Sequence, residues 1–462
     1  MNLDRLYKII DSELNKDYSK SSVLDYKKPD ELTSLLDLDI TKDGSENSFY
    51  NSIDNYLSGS VDTSHPLFSN QLWAGRNTPG LIAEFITTLR NTSVYTYETA
   101  PAATLIEKYM IKMLSKQMGF ENGDGTFLTG SSNANLISLL VARNTMFPEI
   151  KNKGLSGLPE LCFFVSEHAH YSFEKAANVL GFGEYNVIKV KADENHCIIP
   201  NDLEDKIKNS IEDGKKPFYV CGTAGSTEVG AFDPLIEMQS IAKKYNLWFH
   251  TDAAWGGALA FSNKHKHILE GIENSDSISW DAHKLMGIPL ICSVILLKDN
   301  NQLLKSVNEN TSDYLFHDHE HDDLDLGKKS IQCGRRVDSL KLWLSFKYYG
   351  FNGYEERINK MCDISQYMTS KINRNENLEL LAPTKYCNIN FRYNPGNLDE
   401  KRLNKLNLDA RDNIYKNGDA LFNYVYFNDV MSIRYIIANA DVTEEVIDEV
   451  LEFFEEECRK LL

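Results

Sequence analysis

Between Gly80 and Val337, short apolar segments alternate with longer segments of helical periodicity. The pattern predicts strands at 161–166, 218–223, 247–252, 277–280 and 293–298, and helices at 102–119, 133–147 and 234–246. These strands are apolar on both faces, which is typical of a mainly parallel sheet covered by helices on both sides. The alternation therefore predicts an α/β domain whose ligand site lies at the carboxyl ends of the strands.

The segments on either side of this region have different patterns. Near the start, "LDRLYKIIDSEL" predicts an amphipathic helix that packs on another domain or subunit. After "VDSLKLWLSFKYYG" the helices become longer, with strands predicted at 388–394 and 431–439, as in a smaller α+β domain. We therefore expect an N-terminal helical segment (1–70) that packs in a dimer, a large domain (71–345) and a small C-terminal domain (346–462).

Composition narrows the classes of partner. The 462 residues carry a formal net charge of -18, which argues against binding to nucleic acid or to acidic lipid. The eight cysteines form no CxxC pair, and several lie in apolar runs typical of buried thiols. No segment reads as a signal peptide or a membrane span. A cytoplasmic protein without nucleic-acid or membrane partners is expected.

Three loops that follow strands have residues suited to one site. In "TGSSNANL" (129–136), small residues at a predicted helix start suit a phosphate, although Ser and Asn are also common N-caps. In "FHTDAAWGG" (249–257), Asp252 ends a buried strand and either pairs with a cation or caps a helix. In "SISWDAHKLMGIPL" (277–290), Lys284 is either a nucleophile or a lysine whose charged end reaches solvent.

The combination of these loops is more informative than any one of them. An anion-binding helix start, a strand-end aspartate and a strand-end lysine match the phosphate, pyridine nitrogen and aldehyde of pyridoxal phosphate. The chain also resembles the group II pyridoxal-phosphate-dependent amino-acid decarboxylases, in the glutamate, cysteine sulfinate and aspartate decarboxylase branch. The resemblance is carried by "TYETAP", "SEHAHYS", "TAGSTEVGAFDP", "HTDAAWGG", "WDAHKLMGIPLICS" and "QCGRRVDSLKLWL".

The resemblance implies the transferase fold type I, with a seven-stranded, mainly parallel sheet. It also implies roles for individual residues. Lys284 matches the lysine that forms a Schiff base with the cofactor, Asp252 the partner of the pyridinium, and His170 the histidine that stacks on the ring. The other implied cofactor-binding residues are Ser131, Ser132 and Asn133 at the phosphate, Thr223 and Ala254 along the ring, and His283 beside the lysine.

Asp281 departs from the family pattern, in which an asparagine usually precedes this element. A carboxylate near a phosphate is unfavourable. We therefore expect Asp281 to be turned away or protonated, and not to be a ligand.

The resemblance also suggests the substrate. Arg434 matches the arginine that holds an acidic side chain, a role that suits a bidentate guanidinium–carboxylate pair. Asn70 and Gln71 match a polar element of the glutamate enzyme. Trp73 and Tyr95 stand where the glutamate enzyme has smaller or less polar residues, so the pocket is expected to be shorter. We therefore expect decarboxylation of aspartate to β-alanine or of cysteine sulfinate to hypotaurine, with glutamate decarboxylation to GABA as the alternative.

The segment 314–330, which matches the family's mobile loop, differs from the family pattern as well. Asp322 stands in place of the tyrosine that protonates the carbanion, and His321 is the candidate replacement. If no proton donor acts at this position, the alternative is a lyase or an oxidative decarboxylase. A non-catalytic homologue is the least favoured alternative. The triplet of His317, His319 and His321 is interpreted as part of an acidic solvent-facing loop and not as a metal site. The resemblance implies a homodimer with active sites at the interface.

Overall fold

The computed structural model describes residues 2–307, 314–317 and 320–462. The chain divides into two compact units. The first comprises 1–75, 364–382 and 389–462, and the second comprises 76–363 and 383–388. The division into segments 1–70, 71–345 and 346–462 stays a prediction.

The described residues form twelve strands. They are β1 (Phe68–Ser69), β2 (Asp124–Leu128), β3 (Leu161–Ser166), β4 (Val187–Val190), β5 (Lys216–Thr223), β6 (Trp248–Asp252), β7 (Ser277–Asp281), β8 (Ser293–Leu297), β9 (Leu378–Leu380), β10 (Asn388–Tyr393), β11 (Leu421–Phe427) and β12 (Val430–Ile436).

The α-helices of the described residues begin with three short ones near the N-terminus. In chain order they are α1 (Leu3–Leu14), α2 (Pro29–Leu36), α3 (Glu46–Ser58), α4 (Thr78–Arg90), α5 (Pro101–Gln117), α6 (Ser131–Met146), α7 (Ile150–Lys153), α8 (Ser172–Val179), α9 (Pro200–Glu212), α10 (Leu235–Lys244), α11 (Gln302–Val307), α12 (Asp338–Arg374), α13 (Glu400–Asn417) and α14 (Glu444–Lys460). Helix α12 changes direction at Gly350, whose φ of 64° lies in the left-handed region that glycine adopts without steric cost.

The second unit contains a seven-stranded sheet in the order β2-β8-β7-β6-β5-β3-β4. Strands β4, β3, β5, β6 and β7 are mutually parallel, whereas β8 is antiparallel to both of its neighbours. The predicted mainly parallel, seven-stranded α/β sheet is therefore confirmed. The five strands and three helices predicted in this region all occur, with ends that differ by two residues at most.

Burial explains why these strands were recognisable. Every residue of β3, β6, β7 and β8 is buried, and β3 and β8 are apolar runs without regular polar alternation. Each large apolar side chain buried in this way contributes about 1.5–3 kcal/mol. Strands β2 and β4 lacked such a signal, because β2 begins with Asp124-Gly125 and β4 has only four residues, one of them a lysine.

The sheet register aligns the ends of three neighbouring strands. Thr223 at the end of β5 pairs with Asp252 at the end of β6, and Asp252 pairs with Ser279 near the end of β7. Because parallel strands share one carboxyl edge, the loops after β3, β5, β6 and β7 all leave the sheet on the same side. This edge is where the candidate site lies.

The first unit contains a five-stranded sheet in the order β1-β11-β12-β10-β9. Its two central pairings include the antiparallel β11–β12 pair, in which Asn423 lies opposite Arg434. The amphipathic helix predicted near the start is α1. Asn2 is its N-cap, and the Asn2 side chain accepts hydrogen bonds from the first N–H groups of the helix. No helix among the described residues is both long and apolar enough to cross a bilayer.

Candidate active site

Lys284 follows β7 and lies at the carboxyl edge of the seven-stranded sheet. Its Nζ is 3.2 Å from Oδ2 of Asp281, and only 16% of its side chain is exposed. Oδ1 of Asp281 accepts hydrogen bonds from Ser131 at 2.7 Å and from Ser293. One carboxylate therefore joins the lysine amine to the first residue of α6.

The expectation that Asp281 is turned away or protonated is wrong. Burial by itself raises the pKa of Asp281, but the charge of Lys284 and the hydrogen bonds from Ser293 and Ser131 outweigh it, so the pKa lies below its ordinary value. The side chain is ionised and faces both Lys284 and the start of α6. A buried carboxylate is stable here because it has a cationic partner and two hydroxyl donors.

His283 lies beside the lysine and is also buried. Its Nδ1 accepts the backbone N–H of Cys292 at 3.2 Å, and its Nε2 is 3.8 Å from Oδ2 of Asp281. Burial lowers the pKa of His283, against the attraction of Asp281. The ring is therefore neutral near pH 7.

The start of α6 provides a place for an anion. Gly130 precedes the helix with a φ of 97°, and no side chain caps this end. A Cβ placed on Gly130 would meet no atom within 4 Å, so the space beside the helix start is open. Ser131 is buried, Ser132 is exposed, and Oδ1 of Asn133 is buried without a hydrogen-bond partner. Uncapped N–H groups and the helix dipole favour a negative group at such an end.

Asp252 ends β6 and is 6% exposed. Its Oδ2 accepts a hydrogen bond from Nδ2 of Asn135 at 2.8 Å. Its Oδ1 accepts from the backbone N–H of Ala254 at 3.1 Å and lies 3.3 Å from the hydroxyl of Ser279, whose one proton is directed mainly to Asn135 at 2.9 Å. Two donors hold the carboxylate, and Asp252 is not merely a helix cap.

A buried hydrogen-bond chain fixes the direction of these donors. The indole N–H of Trp248 donates to Ser277 at 2.9 Å, and Ser277 lies 2.8 Å from Nδ1 of His250. Nε2 of His250 is 3.2 Å from Oδ1 of Asn135, whose amide nitrogen donates to Asp252. Complete burial lowers the pKa of His250 to about 4, so the ring is neutral. The consistent assignment is a proton on Nε2 of His250. Each group in the chain then donates to the next one, and the last donor, the amide of Asn135, donates to Asp252.

His170 and two ring-lining candidates lie at the same edge. Nδ1 of His170 accepts the N–H of Ser172 at 3.2 Å. Burial lowers the pKa of His170, while the charge of Asp252 raises it and that of Lys284 lowers it further, so these side chains share one neighbourhood. The N–H of Thr223 donates to buried Asp233 at 2.7 Å. Ala254 is buried directly after β6.

Tyr95 and His321 lie in a second part of the same unit. The N–H of Gly327 donates to the carbonyl of Tyr95 at 2.8 Å, and the N–H of Tyr97 donates to Asp325 at 2.9 Å. The ring of His321 meets the ring of Tyr97 edge-on, with centroids 5.3 Å apart. The segment that carries His321 therefore packs on the segment that carries Tyr95.

The metal interpretation involves residues on this segment. His319 lies outside the described residues, whereas His317 and the half-exposed His321 lie within them. Across the described residues, no group of three or more His, Cys, Asp or Glu side chains is arranged to hold a metal ion.

The remaining predicted residues belong to the first unit. Nη2 of Arg434, on β12, donates to the carbonyl of Asn70 at 3.1 Å, and Gln71 donates to the side chain of Asn70 at 2.6 Å. Arg434 is 8% exposed, so it is not part of a surface ion pair. The ring of Trp73 packs on Phe68, with centroids 5.7 Å apart. The structure thus brings Arg434, Asn70 and Gln71 together.

Sequence reasoning missed Asn135, Ser279 and His250, which hold Asp252 in place. One signal was available for Asn135, because it lies four residues after Ser131 and therefore on the same face of α6. Ser279 and His250 had a weaker signal. Each is a polar residue inside an apolar strand, and the strand partner that each faces depends on the sheet order.

Comparisons with known proteins agree with this architecture. A family model described as a pyridoxal-dependent decarboxylase conserved domain matches residues 29–394. Acidic amino acid decarboxylase GADL1 of Xenopus tropicalis is 37% identical, covering 99% of this chain and 93% of that protein. Cysteine sulfinic acid decarboxylase of Mus musculus is 38% identical, covering 96% and 92%.

A solved structure gives the same result for the fold. The crystal structure of mouse CSAD superposes with a TM-score of 0.95 at 35% identity, covering 98% of this chain and 97% of that one. The family match spans most of the chain, and the relatives cover nearly all of it. The chain therefore belongs to the pyridoxal-dependent decarboxylases and is an amino-acid decarboxylase, a carboxy-lyase with pyridoxal phosphate as its cofactor.

Proposed function

We propose that this enzyme removes the α-carboxylate from a short acidic amino acid, L-aspartate or L-cysteine sulfinate. Support comes from its relatives, which are named as decarboxylases of acidic amino acids and of cysteine sulfinic acid. The observation that carries the proposal is the arrangement of Lys284, ionised Asp281 and the start of α6 beside the firmly held Asp252.

The residues of this edge fit pyridoxal phosphate. The open space beside Gly130, the uncapped end of α6 and the unpartnered Oδ1 of Asn133 suit its phosphate. The hydroxyl of Ser132 is exposed at that end, whereas the hydroxyl of Ser131 donates to Asp281 and leaves its backbone N–H for the phosphate. Lys284 supplies a shielded amine for the aldehyde, with His283 beside it.

Asp252 provides the contact that the ring nitrogen requires. The hydrogen bonds from Asn135 and from the N–H of Ala254 orient the carboxylate, which would pair with a protonated pyridine nitrogen. His170 would pack on one face of the ring, with Thr223 and Ala254 along its other side. When bound, the cofactor supplies an electron sink for the electron pair released as CO2 departs.

Substrate binding is assigned to Arg434, Asn70, Gln71, Trp73 and Tyr95, the residues that the family resemblance implies. Arg434, with Asn70 and Gln71, would bind the side-chain acid, because a guanidinium pairs with a carboxylate or sulfinate through two hydrogen bonds. Trp73 and Tyr95 would fill the space that a longer side chain needs. One methylene of space discriminates by about 1–3 kcal/mol, so glutamate should react more slowly.

Proton return to the α-carbon is assigned to His321. Its imidazole is half-exposed beside Tyr97, and imidazole exchanges protons near neutral pH. Asp322, in the place of the family's tyrosine, favours a second candidate outcome, an oxidative decarboxylation in which O2 takes up two electrons and the amino acid, O2 and water give an aldehyde, CO2, ammonia and hydrogen peroxide. Product analysis separates the two outcomes.

The experiment for the proposed substrate is a comparison of kcat/KM for L-aspartate, L-cysteine sulfinate and L-glutamate, followed as CO2 release and amine formation. We expect either of the shorter acids to exceed glutamate by about tenfold or more. A clear preference for glutamate would overturn the proposal. Borohydride reduction and mass spectrometry test the site separately, since the cofactor should be found attached to Lys284 and to no other lysine.

A homodimer is also proposed. Helix α4 exposes a continuous apolar stripe of Ile82, Phe85, Ile86 and Leu89, which are 42–78% exposed and spaced for one helix face. Burial of this stripe against a second copy would explain its composition. Sedimentation of the double substitution Ile86→Glu and Leu89→Glu should show monomers where the unaltered chain shows dimers.

The expected cytoplasmic location stays a prediction.

A further inference from the structure

Three side chains outside the site described above form a hydrogen-bonded row in the second unit. His168 follows β3, His196 lies between β4 and α9, and Glu228 follows β5. Nδ1 of His168 is 3.5 Å from Oε2 of Glu228, and its Nε2 is 3.3 Å from Nδ1 of His196. The two imidazole rings are 4.8 Å apart between centroids. The row connects three separate loops.

The row requires one proton between the two rings. If both facing nitrogens lack a proton, two lone pairs oppose each other, and if both carry one, two N–H groups collide. One proton between the two nitrogens, on either ring, satisfies both of them. Glu228 accepts the Nδ1 proton of His168, and when the shared proton is on Nε2 of the same ring, His168 is a cation between a carboxylate and a neutral imidazole.

The surrounding charges favour this distribution. The hydrogen bond and charge of Glu228 raise the pKa of His168 despite partial burial, and the charges of Glu167 and Asp233 act in the same direction. Burial and the charge of His168 lower the pKa of His196, while Glu228, Asp193 and Glu167 oppose this. Asp233 is itself buried, which raises its pKa to about 6. The charge of His168 therefore acts directly on His196.

A metal ion is the other occupant that two facing imidazoles could accept. Structural metal sites need more ligands than two, and no group of three candidate ligand side chains is arranged for a metal within the described ranges. The geometry therefore favours a shared proton.

His168 is only two residues from His170, in a tight turn. The N–H of His168 donates to the hydroxyl of Ser166 at 3.1 Å, and the N–H of Ala169 donates to the carbonyl of Ser166 at 3.0 Å. At the other side of the turn, the N–H of Ser172 donates to His170. A side chain clamped at position 168 restricts the turn that carries the ring of His170.

We propose that Glu228, His168 and His196 form a proton-sharing relay. The relay positions the turn that carries His170 while the two histidines share one proton and together carry one positive charge. The proposal rests on the proposed role of His170, and it makes His168 and His196 positioning residues. As pH falls and His196 gains a proton, the two cations repel each other. As pH rises and His168 becomes neutral, its hydrogen bond to Glu228 is no longer strengthened by a positive charge. The turn is therefore best ordered between these two events.

The first test is an NMR titration of the holoenzyme with 13C-labelled histidine rings, which are eleven in number. The signals of His168 and His196 are assigned by their loss in His168→Gln and His196→Gln. We expect Glu228→Gln to lower the pKa of His168 by about one unit. His168→Gln should raise the pKa of His196. If His168 titrates at its ordinary value and does not respond to Glu228→Gln, the relay does not exist.

The second test is the pH profile of kcat/KM. Glu228→Gln should lower kcat/KM near pH 7 by about tenfold, a size typical of losing a group that orients another. It should also move the basic limb of the profile to lower pH. Glu194→Gln is the matched control, because it removes the same charge from the exposed hairpin beside His196 without touching the relay. If both variants share one profile, the positioning role is wrong.

The two tests separate this inference from the proposed function. The NMR titration needs no substrate, so it can confirm the relay even if no acidic amino acid is decarboxylated. A different result is that Glu228→Gln lowers the pKa of His168 and yet gives the same pH profile of kcat/KM as Glu194→Gln. That result would reject the positioning role, while the decarboxylase assignment would stand.

Discussion

Asn135 and Asp252 are 117 residues apart in the sequence and are joined by a hydrogen bond of 2.8 Å. The amide of Asn135 also donates to Ser172, and its oxygen accepts from His250 and from Ser279. Both donors and both acceptor positions of this side chain are therefore satisfied in a buried place. A side chain used so completely fixes the carboxylate that it contacts.

Asn135→Leu should weaken cofactor binding by about tenfold or more, because Asp252 loses its shortest side-chain donor. It should also lower the free energy of unfolding by about 2–4 kcal/mol, since His250 and Ser279 lose a partner in the interior. Titration of the apoenzyme with pyridoxal phosphate and urea unfolding measure the two effects. Asn144→Leu is the control, because Asn144 is buried on the same helix and donates instead to Ser306. Equal cofactor affinity in the two variants would contradict the assignment.

His250 should make the folded state sensitive to acid. Its pKa is about 4 in the folded protein because of burial, and the ordinary value applies after unfolding. The unfolded state therefore binds an additional proton as pH falls below about 6.5, so stability decreases towards pH 4 by about 3 kcal/mol from this group. Urea unfolding at several pH values should show a shallower slope for His250→Gln. The exposed His267→Gln should keep the original slope, and an identical slope in both variants would refute the prediction.

Trp73→Ser should shift substrate preference towards the longer acid. Removal of the indole opens space for one more methylene, so the ratio of kcat/KM for glutamate to that for aspartate should rise by about tenfold. Tyr95→Phe should act in the same direction to a smaller extent, because it removes only a hydroxyl. The ratio cancels any difference in the amount of folded enzyme. An unchanged ratio in both variants would exclude these side chains from the determination of chain length.

His321→Phe should reduce the amine formed per CO2 released. Without the imidazole, the proton that returns to the α-carbon must come from a slower source, and the loss should be about 10²-fold in amine formation. Parallel measurement of CO2, amine and aldehyde shows whether the carbanion follows another route. His317→Phe is the control, since His317 lies on the same segment and is exposed. The same amine yield in the two variants would assign proton return to another group.

Local sequence determined a large part of this protein. The strands that lead to Asp252 and Lys284 were recognisable because they are buried and contain large side chains that favour strands, such as Phe249 and Trp280. The placement of Lys284 after one strand, Asp252 after another and Ser131 at a helix start then followed from the rule that ligand sites lie at the carboxyl edge of a parallel sheet. The family motifs cover the same positions.

Tertiary structure decided the contacts that depend on strand order. The sequence placed a carboxylate at 281, but only the pairing of β7 with β8 brings Ser293 to it, and only the position of α6 brings Ser131. These hydroxyls and Lys284 keep Asp281 ionised, against the sequence-based expectation. Strand order also decides the contact of Asn135 with Asp252 and the row of His168, His196 and Glu228. Local periodicity shows which residues are buried, whereas the partner of a buried polar group depends on which segments the sheet order makes neighbours.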